Sequence, residues 1–210
     1  MRRLAIFVLL LALPLASLSL STTAHANAYG QLIPAAPLRG GNNLFSVDLL
    51  LGDRVDNAGV LGQVRFTSSP RLDWGLQLGF SDIGSGAVLI GGDLRPHLGT
   101  ASESMPLDSD ADVAVGLEIG DNYTFIEVVP AIEASHRFPL SGSSQALTPY
   151  GSLGLDVNHV SVDNGGSDTN TDVVGRVGVE WEAAAKLGVV GELGFGTPAN
   201  DFILGVNVPF

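Results

Sequence analysis

From residue 43 onward the chain alternates between large apolar residues and polar or glycine residues with a period of two. In Leu72-Asp73-Trp74-Gly75-Leu76-Gln77-Leu78-Gly79-Phe80-Ser81 every even position is large and apolar, and every odd one is polar or glycine. Period two is the signature of an extended strand with two unlike faces, whereas a helix repeats its apolar residues at three and four. The dyad recurs in 45–51, 60–67, 72–81, 88–95, 112–120, 125–138, 147–160, 172–183, 187–196 and 201–210. That gives ten segments of roughly 8–14 residues, close to the ~9–11 of a tilted strand crossing a bilayer.

Alternation alone would also suit a soluble sheet with one wet face, so the content of each face decides. The apolar parity carries no Asp, Glu, Lys or Arg in any segment. All strand charges take the other parity: Asp48, Arg65, Asp73, Asp93, Arg95, Asp112, Glu118, Glu127, Glu133, Arg137, Asp156, Asp172, Arg176, Glu180, Glu182, Glu192 and Asp201. Phe45, Phe66, Trp74, Phe80, Phe138, Trp181, Phe195, Phe202 and Phe210 share the apolar parity, while Phe125 and Tyr150 oppose it. With both termini at one end, six of these nine rings fall at that end, and Phe80, Phe195 and Phe202 at the other. Two bands of rings are the girdles of a membrane-spanning barrel. The prediction is an all-β fold, a transmembrane antiparallel up-and-down β-barrel of ten strands. Eight or twelve are the alternatives, because 97–110 is long for a turn.

The N-terminus reads differently. Met1-Arg2-Arg3 is a basic start, Leu4 to Leu20 is an apolar run broken by Pro14 and two serines, and Ser21 to Ala26 ends in an A-x-A site. This predicts a cleaved signal peptide over 1–26, with Ala28 as the alternative cleavage point. Residues 27–42, with Pro34, Pro37 and Gly40-Gly41, read as an irregular lead-in, or alternatively as a plug inside the barrel. Residues 43–210 form the barrel. Beyond Leu20 no apolar run approaches the ~18 residues of a membrane helix. The absence of cysteine excludes disulfides and thiolate metal sites. Removing Arg2 and Arg3 takes the net charge from −12 to −14, which speaks against nucleic acid as a partner.

The chain ends with Phe202, Leu204, Val206, Val208 and Phe210 at alternate positions. This resembles the C-terminal assembly signal of bacterial outer-membrane β-barrel proteins. Together with the signal peptide and the dyad it looks like a small Gram-negative barrel of the OmpA/OmpX/OmpW-like class; Pro209 departs from the pattern. The resemblance implies export to the bacterial outer membrane, passage past periplasmic chaperones and folding by the barrel assembly machinery. It further implies contact with outer-membrane lipid and lipopolysaccharide, as a monomer.

The predicted lumen holds thirteen acids and four arginines, net −9, with many inward glycines. Counting back from the turns sets Arg176 beside Asp156 and Glu192, and Arg65 diagonal to Asp73. The expected role is structural or interactive, with a polar, acidic, salt-bridged interior. The first alternative is a narrow porin-like passage for small cations or water. The second is a lipid-modifying enzyme, because His159-Val160-Ser161 faintly resembles the lipid A deacylase barrels. Against it, Asp172, Glu180 and Glu182 lie on the wrong face to orient His159. No catalytic residue, metal ligand or cofactor is assigned, and the chain is not expected to be an enzyme.

Overall fold

A computed structural model describes residues 43–210 except 53–54, 82–85, 104, 185 and 197–200. The signal peptide (1–26) and the lead-in or plug (27–42) lie outside the described residues. The strands are β1 (Leu44–Gly52), β2 (Val55–Ser69), β3 (Leu72–Ser81), β4 (Ala87–Gly99), β5 (Asp108–Ile119), β6 (Tyr123–Ser135), β7 (Phe138–Pro139), β8 (Ala146–Val162), β9 (Ser167–Ala184), β10 (Leu187–Gly196) and β11 (Asp201–Pro209). Sequential long strands pair antiparallel, β6 pairs with β8 past the two-residue β7, and β1 pairs with β11. Ten long strands therefore close into an up-and-down barrel, as the dyad predicts. The closing seam sets Leu44 opposite Pro209 and Gly52 opposite Asp201. Reciprocal backbone bonds between Asn43 and Phe210, 3.3 and 3.1 Å, lengthen it by one rung. The end with both termini is called the near end below, the other the far end.

Burial alternates with the sequence. Along β3, Asp73, Gln77 and the glycines are buried while Leu76, Leu78 and Phe80 are exposed. Charged side chains inside and aliphatic ones outside invert the arrangement of a water-soluble domain. A contiguous apolar wall is stable against hydrocarbon, and closure leaves no strand edge unpaired within it.

The strands outrun their predicted ends. The stretch 97–110, expected as a connection, is strand at its two ends, 97–99 and 108–110, with His97 opposite Asp110 and Gly99 opposite Ser109. The expected connections 52–59 and 162–171 also shorten, because β2 begins at Val55, β8 runs to Val162 and β9 starts at Ser167. Asn164 makes the β8–β9 reversal possible with φ of 59°, a left-handed conformation that Asn tolerates. The Gly165 N–H then donates to the Val162 carbonyl at 3.0 Å. Conversely, the segment 125–138 is broken. The His136 N–H still donates to the Pro149 carbonyl, and after the break at 136–137 the two-residue β7 pairs with β8 again, Phe138 opposite Leu147.

One rung of the wall is irregular. Pro130 sits within β6, and the β6–β8 ladder passes from Val128–Val157 directly to Ala131–Gly154. Proline has no N–H to donate there. Gly154 accommodates the approach, since a Cβ at that position would lie 2.7 Å from the Pro130 carbonyl oxygen.

Candidate functional site

The interior is built by glycines that let long polar side chains reach past their own neighbours. Arg65 on β2 faces Gly75 on β3, and Gly75 faces Asp93 on β4. The Arg65 Nη2–Asp93 Oδ2 ion pair, 2.6 Å, passes over that glycine. A Cβ on Gly75 would collide with Asp93 Oδ1 and lie 3.3 Å from Arg65 Nη2. Two strand spacings are about 9.6 Å, which only long side chains meeting over an empty position can bridge. The pattern repeats at Tyr150–Gly178–Glu192, where the Tyr150 hydroxyl donates to Glu192 at 2.7 Å. It repeats again at Arg176–Gly194–Asp201, with Arg176 Nη2 3.8 Å from Asp201. Arg176 Nη1 also donates to Glu192 at 2.5 Å.

Towards the near end a second network spans β3 to β6. Arg95 reaches Asp110 at 2.9 Å and Glu133 at 2.8 Å. His97 touches Asp110 through Nδ1 at 2.6 Å and Asp73 through Nε2 at 3.1 Å. Across the seam, the Ser46 hydroxyl donates to Asn207 at 2.7 Å, and Asn207 donates to Glu180 at 2.9 Å.

Towards the far end the lumen turns apolar. Leu50, Leu61, Leu89 and Ile203 from β1, β2, β4 and β11 form one buried cluster. Nearby, Glu118 accepts hydrogen bonds from Ser81 and Tyr123. Leu61 and Leu89 are 0% exposed, and Arg65 and Arg95 each 1%. At these levels the named side chains are closed off from solvent.

Of the expected lumen charges, Asp48, Arg65, Asp73, Arg95, Asp112, Glu118, Glu127, Glu133, Asp156, Arg176, Glu192 and Asp201 are buried. Asp93 lies among them as the Arg65 partner, while Asp172 and Glu180 are half-buried. Arg137 and Glu182 need correction. They form a bidentate rim pair at 2.6 Å, with side chains 46% and 34% exposed, because β6 has already ended at Ser135. Hydrogen bonding to Glu182 raises the Arg137 pKa above its ordinary value. Of the expected pairings, Arg176 with Glu192 holds and the others change. Arg65 pairs with Asp93, while Asp73 contacts His97. Arg176 has Ser152 opposite it on β8, and Asp156 is four residues further along, opposite Asp172.

Among the aromatic residues, Phe45, Phe80, Phe138, Trp181 and Phe210 are exposed on the outer wall, and Phe66, Trp74, Phe195 and Phe202 are half-buried. Phe66 stacks on Trp74 at 4.6 Å and meets the edge of Phe210 at 6.4 Å. Leu204, Val206, Val208 and Phe210 of the last segment point outward. On the far hairpin, His159 Nδ1 contacts the Thr169 hydroxyl at 2.8 Å, and Ser161 lies opposite Ser167. Asp168 instead accepts from the Thr169 N–H. Among the described residues no three His, Asp or Glu side chains are grouped to hold a metal ion.

His97, Asp108 and Asp110 are interior residues in a stretch that the sequence predicts as a connection, and the apolar quartet interrupts the polar interior that the alternation predicts. Asp108 is buried and accepts from the Ala101 N–H at 2.8 Å.

No family model and no curated protein sequence matches the chain. Among solved structures it is similar to a bacterial polysaccharide outer membrane secretin, at 15% identity and TM-score 0.47, covering 77% of this chain and 57% of that one. It is also similar to KdgM porin, at 8% identity and TM-score 0.44, covering 80% of this chain and 99% of the porin. A third likeness is to the outer membrane protein Omp33 of Acinetobacter baumannii, at 8% identity and TM-score 0.40, covering 81% and 98%. The chain is a small closed ten-stranded barrel, similar in architecture to outer-membrane β-barrel proteins.

Proposed function

We propose that this chain is an integral barrel of the bacterial outer membrane whose interior is a packed polar core and not a passage. Its role is structural, or interactive at its rims and outer wall. The observation carrying this reading is the burial of Arg65, Arg95, Leu61 and Leu89, all at 1% exposure or less, on two wall strands, β2 and β4, that flank β3. A water-filled channel would leave guanidinium groups hydrated. The buried ion pairs then serve the wall itself, since each satisfied polar group rigidifies one arrangement of the strands. The rims favour lipid as the neighbour, with polar Asp163, Asn164 and Asp168 at the far turn and an aromatic cluster at the near end. The His159 contact with a threonine hydroxyl gives no support to a lipid-modifying activity. The proposed biogenesis follows the same reading: export with loss of 1–26, chaperone escort, and insertion by the assembly machinery as a monomer among lipopolysaccharide. The test is a planar-bilayer recording with the refolded barrel. The expected result is no discrete conductance, and reproducible cation-selective steps would overturn the reading. Membrane fractionation of the full-length chain tests the location.

A further inference from the structure

At the far end one strand edge is left open. The β8–β9 hairpin outruns its neighbours there. On the β8 side β6 keeps pace with it, with Tyr123 opposite Val162. On the β9 side the last rung to β10 is Val174–Gly196, so 167–172 have no strand on that side among the described residues. Two close approaches fix which backbone groups face outward. A Cβ on Gly151 of β8 would lie 3.4 Å from the Arg176 carbonyl oxygen, and one on Gly196 of β10 would lie 2.6 Å from that of Val173. Even residues of β9 therefore aim their backbone groups at β8, and odd residues aim theirs at the β10 side. Ser167, Thr169 and Thr171 thus turn an N–H and a C=O each into the open edge. The Thr169 N–H, with no strand there to accept it, donates to the Asp168 side chain at 2.9 Å.

An open ladder is a template for another strand, and the side chains beside it select which one. The hairpin 157–173 holds Asp163, Asp168 and Asp172 and neither Lys nor Arg. Asp168 is exposed and Asp172 half-buried; they share a face and stand roughly 13 Å apart along the strand. A second copy in the same membrane would run its β9 in the same direction and set these acids against their counterparts. Like charges across a ladder are destabilising. A strand carrying cations at the same spacing meets both acids instead, and frees the Thr169 N–H to reach a carbonyl of the incoming chain. We infer that the open β9 edge is a docking site for an extended cationic segment of another protein. That segment adds a strand along 167–172, with Lys or Arg four residues apart against Asp168 and Asp172. Backbone pairing supplies affinity and the two carboxylates supply selection. The edge lies apart from the packed interior, so a conducting lumen would leave this site intact.

The probe is a labelled synthetic heptapeptide with lysines at its second and sixth positions and threonine or valine elsewhere. It is titrated against the refolded barrel in zwitterionic micelles, with binding read by fluorescence anisotropy and by amide hydrogen exchange. Saturable binding that slows exchange at Ser167, Thr169 and Thr171 is expected. The same peptide methylated at alternate backbone nitrogens keeps its charge and cannot pair, so it should bind about tenfold more weakly or worse. Equal binding of the methylated peptide means a charge contact alone and overturns the proposal. So does equal binding of a version with glutamates in place of the lysines, or no saturable binding of the lysine peptide. Asp168→Asn combined with Asp172→Asn should weaken the lysine peptide about tenfold, and an unchanged affinity overturns the selection by these acids. Dimerisation of the barrel that the lysine peptide competes away would make a second copy the occupant and overturn the choice of partner. Should the double variant fail to fold, the three peptides on the wild-type barrel still decide.

Discussion

Arg65 and Asp93 form a 2.6 Å ion pair although their strands do not pair with each other, and the pair lies over Gly75 on the strand between. Gly75→Ala puts a methyl group where the Asp93 carboxylate and the Arg65 guanidinium meet. Overpacking of this kind costs about 1–3 kcal/mol. Gly191→Ala is the control, because a Cβ there meets nothing within 4 Å, and its effect should stay within ~0.5 kcal/mol. Urea unfolding followed by the fluorescence of Trp74 and Trp181 reads both. Equal effects at the two positions would refute the bridging role of Gly75.

Arg95 holds Asp110 and Glu133 inside the wall. Arg95→Gln leaves two buried carboxylates without their cation, and breaking a buried pair costs about 3–5 kcal/mol. Arg137→Ala removes a shorter ion pair, 2.6 Å, at the rim, where solvent screening limits the loss to about 1 kcal/mol or less. The unfolding free energies of the two variants should therefore differ severalfold. Similar values would mean that Arg95 is more hydrated than its burial implies.

Much of this architecture is legible in the residues, and what escapes has a physical cause. Alternation exposes the faces because neighbouring side chains on a strand point oppositely. By that logic Asp93, Arg95 and His97 share a parity, as do Asp108, Asp110 and Asp112. The interior place of His97 was thus written in the spacing but masked by Pro96, Gly99 and the serines, which read as turn residues. The apolar quartet also left a trace. Leu49-Leu50-Leu51, Val88-Leu89-Ile90 and Phe202-Ile203-Leu204 are apolar triplets, and the middle residue of each must face inward. Partner choice was legible only between adjacent strands, as for Arg176 and Glu192. Counting from turns compares adjacent strands, and Arg65 finds its acid two strands away, across a glycine whose emptiness has no period.

Leu89 lies wholly inside the far-end cluster with Leu50, Leu61 and Ile203. Leu89→Ala should lower stability by about 2–5 kcal/mol, the usual cost of a cavity in a packed core. A loss under ~0.5 kcal/mol would place Leu89 in a loose or wet region. Equilibrium unfolding in micelles provides the measurement.

Leu76 sits near the middle of β3, 51% exposed on the outer wall. If lipid surrounds it, Leu76→Arg costs about 2–4 kcal/mol in bilayers. On a water-facing wall the same change would be close to neutral. Refolding the variant into phospholipid vesicles, against Thr169→Arg on the polar far hairpin as reference, distinguishes these environments.

The first and last strands meet along the seam from Leu44–Pro209 to Gly52–Asp201. The wall therefore cannot be completed until β11 has been made, because the strand that shuts it follows all the others along the chain. Until then β1 and β10 each present an open ladder, and the apolar outer wall has no hydrocarbon around it. Losing β11 would cost more than one strand: it would leave two raw edges and open the packed polar interior along its whole length.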